Sequence, residues 1–314
     1  MSGASTAVRA GRRARLRRWV VLVGVASVVA AGCVAAGVWQ WTRHVDRSTL
    51  IEIVQANYDA DPVPLAEVLD APAVPLPPEQ NWQVVRVQGE YSPATVLLRN
   101  RPVAGQPSFH VLSPFTVTGP AAGPLEGTVL VVDRGWVPTG ADGSDADTVP
   151  APPTGPVELV VRLRPDEPAS RRDAPAGQVQ AISAQQVRAA VPEEVRWPVG
   201  STLGTYGMLV TEDGSPPSGL GPLARPSTDP GSHLSYAFQW WVFALGALAG
   251  SVVLGVREDR AERAGTAGPT TSTGPADPPA RRRRPTAEEE EDALLDAQSV
   301  TPDPRQTARV ISPS

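Results

Sequence analysis

The sequence predicts a membrane protein in which two transmembrane α-helices flank an extracytoplasmic α+β domain with an antiparallel, barrel-like β-sheet. Three observations predict it. Residues 19–41 and 236–256 are charge-free apolar runs of 23 and 21 residues. Residues 1–18 carry six arginines and no acid. Between the runs, apolar residues fall into short stretches separated by Gly and Pro, the pattern of strands joined by turns.

As helices the two runs extend roughly 34 Å and 31 Å, enough to cross a hydrocarbon layer of about 30 Å. Trp19, Trp39, Trp41, Trp240 and Trp241 stand at their borders, where amphipathic rings favour the headgroup level. The positive-inside bias puts the arginine-rich start in the cytoplasm, and Arg257, Arg260 and Arg263 bring the chain back inside after the second run. The reading is a basic cytoplasmic N-terminus (1–18), a transmembrane helix (19–41), an extracytoplasmic domain (42–235), a second transmembrane helix (236–256) and a disordered cytoplasmic tail (257–314). This describes a multi-pass protein of the cell membrane. Cys33 is the one cysteine, so no disulfide forms within the chain. Cleavage before Cys33, as in a lipoprotein, is a competing reading; against it, the apolar run continues eight residues past the cysteine, longer than a signal core requires.

Along the central domain, residues 43–60 read as a polar continuation of the first helix, and "PLAEVLD" from Pro64 as one or two helical turns. A proline-rich connection follows. Strand-like runs then come in order: "WQVVRVQGEY", "TVLLRN", "FHVLSPFTV", "GTVLVVDRGWV", "VELVVRLR" and "YGMLVTE". "SAQQVRAAV" reads as a short helix with Ser183 as N-cap. Short connections between successive strands favour antiparallel pairing.

Composition narrows the function. All 28 basic residues are arginine, the formal charge is −5, and residues 43–234 hold 13 arginines against 22 acids. This excludes a globally basic nucleic-acid binder and argues against docking of the domain on anionic lipid. There is no Walker-type loop, no H-E-x-x-H and no G-x-S-x-G. The acids of "DGSDADT" from Asp142 lack the glycine and glutamate of a calcium loop. Nothing points to an enzyme. "DRGWVP", residues 133–138, ends the most apolar strand. Gly135 and Pro138 mark a bend there, while Arg134 and Trp136 offer either packing or a surface for a partner.

The helix borders carry the candidate chemistry. His44 follows the first run by three residues and His233 precedes the second by three. An antiparallel pair therefore brings both to the same outer boundary. His233, Tyr236, Trp240 and Phe243 recur at helical spacing, bordered by Gln239, Gly246 and Gly250. The Gly246/Gly250 pair permits close backbone approach, and Gly32 with Ala36 offers a match on the first helix. Two readings stand: an aromatic belt with a packing face, or a haem site using imidazole and a flanking aromatic surface.

Four phrases in order, "VRVQGEY", "LLRNRPVAGQPSFHVLSPF", "VLVVDRGWVP" and "HLSYAFQWWVFA", resemble the surfeit locus protein 1 family. That resemblance implies a cytochrome c oxidase assembly factor assisting delivery or insertion of haem a into the oxidase's catalytic subunit. It assigns a haem-ligand role to His233, flanked by Tyr236 and Trp240; His44 is our added candidate for a second ligand, from its matched depth. The family phrases fall on Gly89, Tyr91, Arg101, Gly105, Pro114, Arg134, Gly135, Trp136 and Gln239. Pro107-Ser108-Phe109 departs from the family's central phrase, where a second glycine is common. The implied partners are the oxidase catalytic subunit, the lipid bilayer and, in an alternative reading, haem a synthase contacted by a haem-free scaffold.

Overall fold

The computed structural model describes residues 2–266, and the tail reading for 267–314 lies outside them. The chain divides into two units, residues 1–255 and 256–314. The described part of the second, residues 256–266, is helical. Those first ten tail residues are thus helix rather than disordered, with Asp259 and Arg263 one turn apart on it at 4.0 Å.

Helix α1 spans Ser2–Asn57 in the first unit, and helix α4 spans His233–Thr266, with residues 233–255 in that unit. Both are long and apolar enough to cross a membrane. They pack antiparallel: Gly37 lies under the Trp241 indole, and Gly255 under Trp19. The seam is built from small residues seven apart, Ala30 and Gly37 on α1 against Ala237, Ala244 and Ser251 on α4, all buried. A seven-residue repeat keeps one stripe facing a partner helix, and small side chains let the backbones approach where apolar burial drives little association. The expected Gly32, Gly246 and Gly250 face is not that seam. A Cβ at any of the three meets nothing within 4 Å, because the seven-residue stripe through Ala237 and Ala244 turns them away.

The continuation of α1 expected over residues 43–60 is helical as far as Asn57. Ile51, Val54 and Tyr58 recur at helical spacing and are buried against the domain. Tyr58 and Trp82 meet at 5.6 Å, with Arg162 3.7 Å and Arg225 4.4 Å from the Tyr58 ring centre and Arg164 3.8 Å from that of Trp82.

The sheet has eight strands: β1 (Val63–Pro64), β2 (Val84–Tyr91), β3 (Val96–Leu98), β4 (Ser108–Val117), β5 (Val129–Pro138), β6 (Pro156–Pro165), β7 (Gln178–Val179) and β8 (Thr202–Glu212). Their order is β1-β2-β6-β8-β5-β4-β3-β7, with a further β2–β4 pairing. The pairings β2–β6, β6–β8, β8–β5, β5–β4 and β4–β2 therefore close into a ring of five.

The antiparallel sheet expected from sequence is corrected here to a mixed one. β5 and β8 pair parallel, as do the two-residue strands β1 with β2 and β7 with β3. The reason is parity. Direction must return to itself around a closed ring, so the number of antiparallel steps is even, and five pairings leave at least one parallel. Residues 166–201, with helix α3 (Ala184–Ala190), carry the chain between β6 and β8. Helix α2 (Leu65–Val68) is the one-turn element expected near Pro64.

β6 alternates, placing Val157, Leu159, Val161 and Leu163 in the core with Phe115, Leu130 and Leu203. β5 is buried almost throughout because both its faces are covered: Leu130 and Val132 face that core, Val129 and Val131 a second cluster under α3. This is why "VLVV" reads as an unbroken apolar run. Ser183 makes no cap bond; Asp166 instead accepts the Ala184 N–H at 2.7 Å.

Candidate functional site

The outer ends of the helix pair and the rim of the sheet hold the predicted residues in two separate groups. The first forms where α4 begins. His233 Nδ1 lies 2.9 Å from Gln40 Oε1 on α1. Its Nε2 makes no hydrogen bond to the described residues. Tyr236 and Trp240 follow on the same stripe, 49% and 36% exposed, with Phe243 edge-on to Trp240 at 5.9 Å. Gln239 points outward and is exposed.

His44 lies on the α1 seam beside Trp41, whose ring is 6.1 Å from both His44 and Trp241. His44 Nδ1 is buried without a hydrogen-bond partner. The two histidines share no hydrogen bond or ring contact among the described residues. Arg47 donates to the carbonyls of Ser227 (2.7 Å) and Asp229 (3.1 Å), holding the segment that leads into α4.

These residues fit a haem. An imidazole with one free nitrogen sits beside an exposed aromatic face, and a second imidazole nitrogen lies buried and unpaired nearby. No group of three or more His, Cys, Asp or Glu suited to a bare metal ion occurs among the described residues.

The second group lies on the sheet. Tyr91 and Arg134 come together on Glu212: Tyr91 Oη donates to Glu212 Oε1 at 2.9 Å and Arg134 Nε to the same oxygen at 2.8 Å. The Arg134 guanidinium also lies 5.3 Å from the Tyr91 ring centre and donates to the Pro150 carbonyl. Arg134 is 2% exposed, so this buried charge is fully paired. Burial first, and Glu212 next, push the Tyr91 phenol far above its ordinary 10.0.

Gly89 and Gly135 are required by close approach. A Cβ on Gly89 would strike the Thr116 carbonyl and the Phe115 ring, and one on Gly135, at φ 141°, the Gly221 carbonyl. Trp136 covers Gly221 and donates to the Pro222 carbonyl at 3.1 Å.

Arg101 bonds Glu167, whose Oε2 also accepts the Ile182 N–H at 3.0 Å. Gly105 and Ala104, both at positive φ, form the two-residue turn between Val103 and Gln106. Pro114 sits within β4 opposite Val131, and its carbonyl accepts from Ser92. His110 Nδ1 and Asp133 Oδ2 share a hydrogen bond at 2.9 Å. Burial raises the Asp133 carboxyl above its ordinary 3.8, opposed by the His110 bond.

The structure thus keeps His233, Tyr236 and Trp240 on one stripe, gives His233 and His44 separate surroundings, and places the family-phrase residues of the sheet in supporting contacts. Sequence reasoning missed Gln40, Glu212, Glu167 and Asp133. Gln40 had a signal: an amide inside an otherwise apolar run. The acids had none, since Asp133, Glu167 and Glu212 meet His110, Arg101 and Arg134 from 23, 66 and 78 residues away in sequence.

Two helices long and apolar enough to cross a membrane flank a ring-paired, sheet-rich domain. The comparisons make the class specific. The SURF1 family model matches residues 27–245. Uncharacterised SURF1-like proteins of Mycobacterium bovis and Mycobacterium tuberculosis are each 33% identical over 239 residues, covering 73% of this chain and 80% of theirs. The chain belongs to the SURF1 family, whose members are known in general as cytochrome oxidase assembly factors.

Proposed function

We propose that this chain is a membrane-anchored assembly factor for cytochrome c oxidase that holds haem a as cargo at the outer end of its helix pair and passes it to the catalytic subunit. We read α1 and α4 as spanning the cell membrane with both termini cytoplasmic, and the ring of five pairings as the wall of a small extracytoplasmic barrel. The observation that carries the proposal is His233, with its Nε2 unengaged beside the exposed Tyr236 and Trp240. His233 would supply a nitrogen ligand, Tyr236 and Trp240 an aromatic flank, and His44 is the second candidate ligand. The chain works by binding, orienting and releasing. No bond of the cargo is made or broken by a side chain, so an enzyme mechanism is not needed.

The test is the absorption spectrum of detergent-purified protein from cells making haem a, beside a His233→Ala version. A haem a band that is lost or shifted in the variant supports the ligand role. Folded protein with no haem in either sample sinks it. That outcome favours a second reading, a haem-free scaffold contacting the oxidase or haem a synthase, for which the His233–Gln40 bond is a helix-packing contact.

A further inference from the structure

We propose that Gln40 is a positioning residue for His233, fixing which imidazole nitrogen is left to take a metal. This rests on the reading of His233 as the haem ligand. A carboxamide oxygen only accepts hydrogen bonds, so the ring nitrogen 2.9 Å from Gln40 Oε1 carries the proton. A neutral imidazole has a single N–H. With that proton on Nδ1, the lone pair lies on Nε2, the nitrogen with no partner among the described residues. Histidine free in water favours the opposite form, protonated on Nε2, which has no lone pair there to give. The bond to Gln40 therefore reverses the default and presents a ligand.

The arrangement follows the general logic of metal-bound histidine, in which the second ring N–H donates to an oxygen that holds the ring plane and raises the basicity of the ligating nitrogen. Both ends of this bond are anchored. Gly37, one turn before Gln40, is clasped under Trp241. Ala237, one turn after His233, is fully buried in the seam. A neutral amide also meets the setting, because a carboxylate at the edge of an apolar run costs more to desolvate. His44 lacks any such device, its Nδ1 being buried and unpaired. The two imidazoles are not equivalent: His233 is prepared for a metal and His44 is not.

The test uses the full chain, haem-free in detergent, with 15N-labelled histidine and His233 assigned against His233→Ala. Expected is the Nδ1–H form in the parent and in Gln40→Glu, and a return to the Nε2–H form in Gln40→Leu. On adding haem a, Gln40→Leu binds about tenfold more weakly, while Gln40→Glu regains affinity and lowers the reduction potential of the bound haem. Gln40→Ala replaces Gln40→Leu if the latter does not fold. An Nε2–H form in the parent, or a Gln40 variant that moves neither tautomer nor affinity, overturns the assignment and leaves His233 as ligand. A parent that takes up no haem a overturns the ligand reading itself, and the role given to Gln40 with it, whatever the tautomer.

Discussion

The seam between α1 and α4 and the junction where α1 meets the sheet are both helix contacts, and they are built from opposite materials. The seam uses Ala30, Gly37, Ala237, Ala244 and Ser251, with tryptophans lying over glycines. The junction uses two aromatic rings interleaved with three arginines, and Arg162 Nε also donates to the Tyr58 carbonyl at 2.8 Å. The difference tracks the surroundings each contact is suited to. Among apolar neighbours, exclusion of water adds little, so close backbone fit must hold the helices. In water, burying large rings is favourable and guanidinium groups cover them while staying hydrated at their edges. One helix thus carries two adhesive surfaces of opposite chemistry.

The comparison breaks most sharply at Trp82. Trp82→Ala empties the centre of the junction and is expected to cost about 3–5 kcal/mol, read as a fall in the thermal midpoint and faster proteolysis near residue 58. Next is Gly37→Leu, which drives a side chain into the Trp241 indole. Overpacking of this kind costs about 1–3 kcal/mol, and here it should loosen the helix pair, seen as lost cross-linking between cysteines placed on α1 and α4, while the sheet melts unchanged. Arg162→Ala should cost about 1 kcal/mol through the lost cation–aromatic contact, checked by the same melts. The smallest effect belongs to Gly246→Leu, expected within about 0.5 kcal/mol of the parent because its Cβ enters open space. A large effect there would mean that this face meets a partner in the membrane.

A pH series sharpens the contrast between the sheet and its surface. Folding raises the Asp133 carboxyl above 3.8, mainly through burial. A group raised on folding adds stability below its unfolded value and loses that contribution as pH rises through the folded value. Stability of the parent should therefore decline relative to Asp133→Asn as pH rises from about 3.8 through the raised value. Parallel melting curves across that range would show that the His110 bond offsets the burial in full.

Much of the architecture was legible because it depends on local pattern. The apolar runs announced both helices, and the run "VELVVRLR" alternates as β6 does in the structure. The parallel β5–β8 pairing was not legible, since it follows from ring closure and no short stretch encodes it. The seam was misplaced for a related reason. Gly246 and Gly250 carry the better-known spacing, but the partner is chosen by the seven-residue phase shared between Ala30 and Gly37 and Ala237, Ala244 and Ser251. At the site, His233 and its aromatic stripe could be read from spacing on one helix. Its partner Gln40 lies 193 residues away and required the fold.

The parallel pair has a consequence for how the chain is made. β8 is the last strand in sequence yet lies between β5 and β6. Until residues 202–212 leave the ribosome, the earlier strands form an open sheet in the order β6-β2-β4-β5, with two bare edges ready to pair with any passing strand. The domain is sealed by its final strand, and α4 begins only at His233, 21 residues after β8 ends. During synthesis, closing the ring therefore comes late, just before the second long helix emerges, and a stall just before Thr202 would leave an unsealed and aggregation-prone intermediate.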